Sequence, residues 1–217
     1  MVADLHTIGV DESGKGDFFG PLVVAAFLCP DSEINCLRAK AVRDGKNIAN
    51  NPLLELDDWL RSKYPYALVV YSPKDYNEQY AKIKNLNKLL AAGHAEAIDR
   101  VLKNMTADLA ISDKFGKSVL IEQELRKRKQ TVRLEQLVRG EQIAQVAAAS
   151  ILARAEFLRQ MKKLSTEFAL ELPRGAAAHV DKAGRQFVRL HGAERLSEVA
   201  KLHFKNYHRV VNPRLSV

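Results

Sequence analysis

Two adjacent carboxylates, Asp11 and Glu12, are the residues best suited to chemistry, and they end an apolar run. The turn Gly14-Lys15-Gly16 follows almost at once. Hard divalent cations such as Mg²⁺ take carboxylate oxygens as ligands. The glycines allow backbone groups to approach a ligand closely, and the lysine adds a positive charge. Carboxylates for a metal beside a cation for phosphate indicate chemistry on a nucleic acid.

The same pair has a structural alternative, which is a solvated strand end. Neighbouring side chains of a strand point to opposite faces, so two adjacent acids serve one site only where a strand ends and twists. The apolar Val10 before the pair and the glycine turn after it favour the functional interpretation.

Composition limits the classes of protein to which the chain can belong. The chain has 217 residues, 47% of them hydrophobic, and a formal net charge of +8, which favours a polyanionic partner. Cys29 and Cys36 are the only cysteines, and we expect both to be reduced in a cytoplasmic, monomeric protein. The N-terminus does not resemble a signal peptide, and no apolar run approaches the roughly 20 residues that span a membrane.

Hydrophobic periodicity gives the order of elements. It predicts strands over residues 6–12, 19–28, 66–71, 108–113 and 131–134, and helices over 53–63, 76–104, 118–127, 141–164, 181–191 and 193–204. This order indicates an α/β fold with a mixed five-stranded sheet flanked by helices. We expect a single domain over residues 1–217, with about 175–217 as a helical C-terminal extension.

Two further acids extend the candidate site. Asp113 ends its predicted strand as Asp11 ends the first, and parallel neighbouring strands would bring both to one sheet edge. Glu141 opens the predicted long helix, where capping or favourable first-turn electrostatics is the simpler role for it alone. The expected grouping of Asp11, Glu12 and Asp113 at the same edge favours a metal-binding role for Glu141 instead. Four carboxylates at one edge could hold two divalent ions for in-line displacement at phosphorus.

Four groups of motifs resemble the type 2 ribonucleases H. The opening DESGKGDFFGP at residues 11–21 is similar to the family signature, and its GDFFGP part resembles ribonuclease HIII. The others are SPKDYNE at 72–78 with NLNKLL at 85–90, GE at 140–141 with VAAASILAR at 146–154, and LPRGA at 172–176 with VD at 180–181 and AKLHF at 200–204. They follow one another in the family's order over most of the chain.

The resemblance implies a ribonuclease H-like fold and Mg²⁺- or Mn²⁺-dependent cleavage of RNA in RNA–DNA hybrids, leaving 5′-phosphate and 3′-hydroxyl ends. It implies that Asp11, Glu12, Asp113 and Glu141 are the catalytic, metal-binding acids, and a glutamate in the fourth position favours HIII over HII. Residues 14–16 fall on the turn that contacts the ribose 2′-hydroxyls.

Several departures from the family pattern bear on the substrate. The usual N-terminal substrate-binding domain of ribonuclease HIII is not expected here, and the basic middle residue of the glycine turn is more like HII. The family's Asp-Ser-Lys turn reads Asp44-Gly45-Lys46, which leaves Lys46 as the expected phosphate contact. The Gly-Tyr-Gly segment of HII enzymes is missing near residue 175, so incision at a single ribonucleotide is not expected.

Two rivals to this interpretation stay open. One is an HII-like enzyme that also incises single ribonucleotides, and the other is a non-catalytic nucleic-acid-binding protein. The basic run at residues 126–129 could bind phosphates, although a solvated helix end is the simpler interpretation. For Phe18 and Phe19, core packing is favoured over stacking on the substrate.

Overall fold

The structure, a computed structural model, describes residues 4–43 and 48–212. Its strands are β1 (His6–Ser13), β2 (Leu22–Pro30), β3 (Tyr66–Tyr71), β4 (Leu109–Asp113) and β5 (Arg133–Leu137). Its α-helices are α1 (Ile34–Ala39), α2 (Asn50–Lys63), α3 (Pro73–Ile83), α4 (Leu86–Leu102), α5 (Val119–Lys127), α6 (Ala144–Glu167), α7 (Ala178–His191) and α8 (Lys205–Val211). Short 3-10 segments lie at Asp31–Glu33, Gly140–Gln142 and Glu194–Glu198.

The strands form one mixed five-stranded sheet in the order β3-β2-β1-β4-β5. β1 is antiparallel to β2 and parallel to β4, which is in turn parallel to β5. Because the parallel pair runs in register from Thr7 opposite Leu109 to Val10 opposite Ser112, the carboxyl ends of β1 and β4 lie side by side. The predicted mixed five-stranded sheet with flanking helices is confirmed.

A close approach of backbone fixes α6 against the central strand. A Cβ atom on Gly9 of β1 would overlap the backbone of Gln145 and Val146 at the start of α6. The absent side chain therefore lets the helix lie directly on the strand. Gln145 and Val146 are themselves buried, at 1% and 0% exposed.

The chain divides into two compact units. Within the described residues, one comprises 4–13, 23–43, 48–69 and 85–155, and holds most of the sheet with α1, α2, α4, α5 and the first half of α6. The other comprises residues 14–22, 70–84 and 156–212, and holds α3, α7 and α8. The single domain with a C-terminal extension stays a prediction.

The single long helix predicted over residues 76–104 is wrong, because two helices occupy that range. Ser72 forms a capping box with Asp75, so α3 begins at Pro73. Lys84 then adopts a left-handed conformation with φ 49°, which ends α3. The side chain of Asn85 accepts a hydrogen bond from the amide of Lys88 and starts α4. The local capping residues outweigh the continuous apolar pattern.

The helix predicted over residues 193–204 is also wrong. Only a 3-10 segment forms at the start of that range, and α8 begins later, at Lys205. Ala200 instead makes an antiparallel bridge to Phe19, which the sequence assigned to the second strand. Tertiary pairing within the second unit therefore overrides local propensity in both segments. Phe18 and Phe19 are fully buried with ring centroids 4.9 Å apart, so the predicted core packing is confirmed.

Both cysteines are free thiols, as predicted. Burial raises the pKa of the Cys29 thiol to about 12. Among the described residues, none of the helices combines the length and the apolar character needed to cross a bilayer.

Candidate active site

Asp11 and Asp113 occupy matching positions on neighbouring parallel strands. The last paired residues of β1 and β4 are Val10 and Ser112, and each acid is the next residue of its strand. Matching positions in parallel strands project to the same face of a sheet. Asp11 is 6% exposed, so its carboxylate has little contact with solvent. The expectation that these two acids meet at one sheet edge agrees with this register.

Glu12 is held on the sheet by a histidine that the sequence analysis did not single out. Nε2 of His94, in α4, lies 3.0 Å from Oε2 of Glu12. A carboxylate only accepts, so the imidazole N–H at Nε2 donates this bond. His94 is 0% exposed, and the ring of Phe115 lies 4.7 Å from its own ring, centroid to centroid. The histidine therefore fixes one oxygen of Glu12.

Asp113 and Glu141 are linked through Gly140. The amide of Gly140 donates to Oδ1 of Asp113 at 3.0 Å. A Cβ on Gly140 would lie 3.0 Å from the Cα of Asp113, so the glycine allows this close approach. Glu141 follows in the 3-10 segment and precedes the first residue of α6, Ala144. The prediction that Glu141 opens the long helix is wrong, and a role as its cap loses its basis.

Glu141 also borders a groove of about 470 Å³. Arg38 and Arg43 line the same groove with Gln142. The lining of this groove in the first unit is therefore largely polar and charged.

Taken together, the four acids have the oxygen donors that a hard cation prefers. Over residues 4–43 and 48–212, however, no three His, Cys, Asp or Glu side chains are gathered as a ready metal site. The structure thus puts Asp11 and Asp113 at matching positions of neighbouring strands and places Glu141 next to the glycine whose amide binds Asp113. Glu12 binds His94.

The predicted substrate turn lies in the second unit. Gly14 has φ 88°, and a side chain there would meet the carbonyl of Pro21 and the ring of Phe157. The amide of Asp17 donates to the carbonyl of Gly14 at 3.3 Å and closes the turn. Lys15 and Gly16 are exposed at its tip. Lys46, the other predicted substrate contact, lies outside the described residues.

The basic run at residues 126–129 is largely engaged by its own helix. Lys127 and Arg128 pair with Glu124 at 2.6 and 3.1 Å, and Arg126 lies 3.8 Å from Glu122. These pairs within one helix, in which Arg126 and Lys127 are exposed, agree with a solvated helix end.

Comparison with known proteins decides the family. A family model described as Ribonuclease HII matches residues 8–207. The chain belongs to the ribonuclease HII family.

Individual relatives carry the name Ribonuclease HIII. The chain is 44% identical to the Chlamydia abortus protein over 97% of its own length and 71% of the relative. It is 39% identical to the Protochlamydia amoebophila protein over 91% of its length and 66% of the relative. Among solved structures, Bst-RNase HIII in complex with Mn²⁺ matches with a TM-score of 0.89 at 31% identity, covering 97% of this chain and 70% of that one.

These matches confirm the resemblance, the ribonuclease H-like fold and the enzyme class predicted from the sequence. The enzyme is an endoribonuclease of the H type, and the family matches support its predicted action on RNA–DNA hybrids. His94 is the residue at the acids that sequence reasoning missed. Its only local signal is one polar side chain on an apolar helix face, which by itself does not identify a partner.

Replacing His94 with leucine tests the hydrogen bond to Glu12. His94→Leu keeps most of the buried volume but removes the donor, so the free energy of unfolding should fall by about 2 kcal/mol. Urea denaturation in EDTA measures this without any contribution from metal binding. His208→Leu, at an exposed position, is the control and should be near neutral. Equal stability of the two variants would contradict the assigned role of His94.

Proposed function

We propose that this ribonuclease H hydrolyses the RNA strand of RNA–DNA hybrids with Mg²⁺ or Mn²⁺ held by Asp11, Glu12, Asp113 and Glu141. The observation that carries the proposal is the register that puts Asp11 and Asp113 on adjacent ends of parallel strands. The Mn²⁺ complex of Bst-RNase HIII, a relative in fold and sequence, supports a divalent ion as the cofactor.

The donor set fits such an ion in its chemistry. All four acids offer carboxylate oxygens, and Asp113 Oδ1 is already oriented by a neutral amide donor that leaves the carboxylate charge in place. Bound divalent ions would activate the attacking water and stabilise the leaving 3′ oxygen, giving 5′-phosphate and 3′-hydroxyl ends. The protein's own part is to hold the carboxylates by the strand ladder, by His94 and by the Gly140 amide.

The substrate part of the proposal rests on the glycine turn. In this proposal the backbone of the turn approaches the minor groove of a hybrid, where 2′-hydroxyls distinguish RNA from DNA. Gly14 permits the conformation of the turn, with φ 88°, and Gly16 leaves open space at its tip. Lys15, exposed at the tip, supplies a phosphate contact, and the net charge of +8 adds sequence-independent attraction. Lys46 is proposed as a second phosphate contact. A cytoplasmic location and a monomeric state stay predictions.

Replacing Asp113 with asparagine tests the metal site. Asp113→Asn retains an oxygen that can accept from the Gly140 amide but removes the charge. Cleavage of a hybrid should fall by about a thousandfold, because metal-ion catalysis is worth several kcal/mol. The melting temperature should hold or rise, since crowded like charges repel one another.

Asp108→Asn is the matched control. Asp108 immediately precedes β4, which Asp113 ends, and its carboxylate accepts a hydrogen bond from the His6 amide at 2.8 Å. It should cleave at the wild-type rate. Near-normal activity of Asp113→Asn would refute the site, and full loss in both variants would point to damage of the strand.

Replacing Glu141 with glutamine separates a ligand from a purely structural residue. Glu141→Gln keeps the size of the side chain but loses its charge. If Glu141 binds metal, turnover should drop by roughly a hundredfold or more and recover in part at high Mn²⁺ concentration. Steady-state assays over a series of Mn²⁺ concentrations measure this. Unchanged turnover would remove Glu141 from the metal site.

Substrate choice is tested on three duplexes at equal metal and salt concentration. One is an RNA–DNA hybrid, one is an RNA duplex, and one is a DNA duplex with a single ribonucleotide. We expect efficient cutting of the hybrid and poor cutting of the others, because a single ribonucleotide offers few 2′-hydroxyl contacts. Lys15→Ala should raise KM and lower the salt dependence by about one phosphate contact.

Lys127→Ala is the control for lost surface charge, because that lysine already pairs with Glu124. It should leave the salt dependence unchanged. Comparable rates on the hybrid and on the single-ribonucleotide duplex would favour the HII-like rival. Tight hybrid binding without cleavage under any metal would favour the non-catalytic rival.

A further inference from the structure

Lys201 is a completely buried lysine in the second unit. It is 0% exposed, and its ammonium donates to the carbonyl oxygens of Asp17 at 2.9 Å and Gly20 at 2.7 Å. Buried lysines are rare, because a charge removed from water needs partners. Both partners here are backbone carbonyls of the four residues that directly follow the glycine turn.

The same four residues are tied by hydrogen bonds to Gly175 and to residues 199–201. The amide of Phe18 donates to the carbonyl of Gly175 at 2.9 Å, and the amide of Gly175 donates to Oδ1 of Asp17 at 2.6 Å. The amide of Lys201 donates to the carbonyl of Phe18, and that of Gly20 to the carbonyl of Val199, both at 2.8 Å. Lys201 thus bridges the two ends of a segment whose middle is already paired.

The link from this segment to the turn is direct. The amide of Asp17 closes the turn on the carbonyl of Gly14, so the position of Asp17 sets the geometry of Lys15 and Gly16. The Asp17 carbonyl, on the other side of the same residue, is one of the two oxygens that Lys201 holds. Removing the ammonium would leave both carbonyls without this donor and would loosen the residue that closes the turn.

We propose that Lys201 is a positioning residue that sets the substrate turn, residues 14–16, for binding an RNA–DNA hybrid. The inference rests on the proposed role of that turn in binding substrate. It assigns no contact between Lys201 and substrate, metal or the catalytic acids.

The groups around Lys201 give the proposal a pH dependence. Its Nζ lies 5.6 Å from the ring centroid of Tyr76, and the carboxylate of Asp17 is the nearby negative charge. Burial lowers the pKa of Lys201 to about 7, and Asp17 opposes that shift. His203 stacks on Tyr76 and Tyr80, and burial together with Lys201 lowers its pKa.

The direction of the pH dependence follows from the protonation state of the Lys201 amine. Below pH about 7 the ammonium binds both carbonyls with charge-assisted hydrogen bonds, and above it the neutral amine binds them more weakly. Hybrid binding should therefore weaken as the pH rises through about 7.

Lys201→Met tests the proposal with equilibrium binding of a hybrid in EDTA, where no cleavage occurs, and with steady-state kinetics. We expect Kd and KM to rise about tenfold, with kcat at saturating hybrid within about twofold of wild type, because the turn is displaced and the acids are not. The variant should also lose the pH dependence of Kd near neutrality while retaining His203. Hydrogen exchange at residues 14–20 should accelerate.

Lys205→Met is the matched control, since it removes a charge from an exposed position four residues later. It should leave Kd within about twofold and keep the pH profile. A wild-type Kd that is constant from about pH 6 to about pH 8.5 overturns the proposal, and this measurement does not depend on any variant folding.

Comparison with Lys15→Ala separates the positioning role of Lys201 from the proposed role of the turn in binding substrate. If Lys15→Ala weakens hybrid binding and Lys201→Met does not, the positioning role is overturned while the turn keeps its proposed function. If neither weakens binding, the proposed function of the turn fails, and the inference fails with it. Parallel losses in the two single variants, with no further loss in the double variant, support both.

Discussion

The parallel pairing of β1 with β4 is the constraint on which the acids depend. Its register makes Asp11 and Asp113 the next residues on adjacent strands. Carboxylates at matching positions of adjacent strands repel one another, and the burial of Asp11 strengthens the repulsion. The hydrogen-bond ladder of the strands therefore enforces an arrangement that electrostatics alone opposes. A divalent cation would relieve that repulsion, which accords with the proposed metal site.

Hydrogen-bond donors from distant parts of the chain orient two of these acids. The amide of Gly140 holds Asp113, and the imidazole N–H of His94 holds Glu12. An arginine or lysine in either place would neutralise the carboxylate and compete with a metal ion. At two places around these acids the backbone must approach a neighbouring segment closely. Gly140 fits against Asp113, and Gly9 fits against the start of α6, because neither has a side chain.

Local sequence predicted the positions of Asp11 and Asp113 on their strands better than the contacts around them. Asp11 and Asp113 follow apolar runs, and strand ends of that kind can be recognised from alternation and length alone. The partner of Glu12 lies 82 residues away in sequence, so no local pattern could identify His94. The break at Lys84 was missed because apolar spacing continues across it, although Ser72 and Asn85 carry recognisable capping signals. Helix periodicity also failed over residues 193–204, where pairing to distant backbone decides the conformation.

Contacts between residues far apart in sequence matter most for the conformation of the glycine turn. The residue that closes the turn, Asp17, is held by Lys201 across 184 positions of the chain. A short motif such as Gly-Lys-Gly specifies which backbone conformations are accessible, but it does not select one of them. Selection comes from the buried ammonium and from the backbone bonds to Gly175 and Val199. The segments DFFGP and AKLHF thus have a physical reason to occur together, because the second supplies the donors that the carbonyls of the first require.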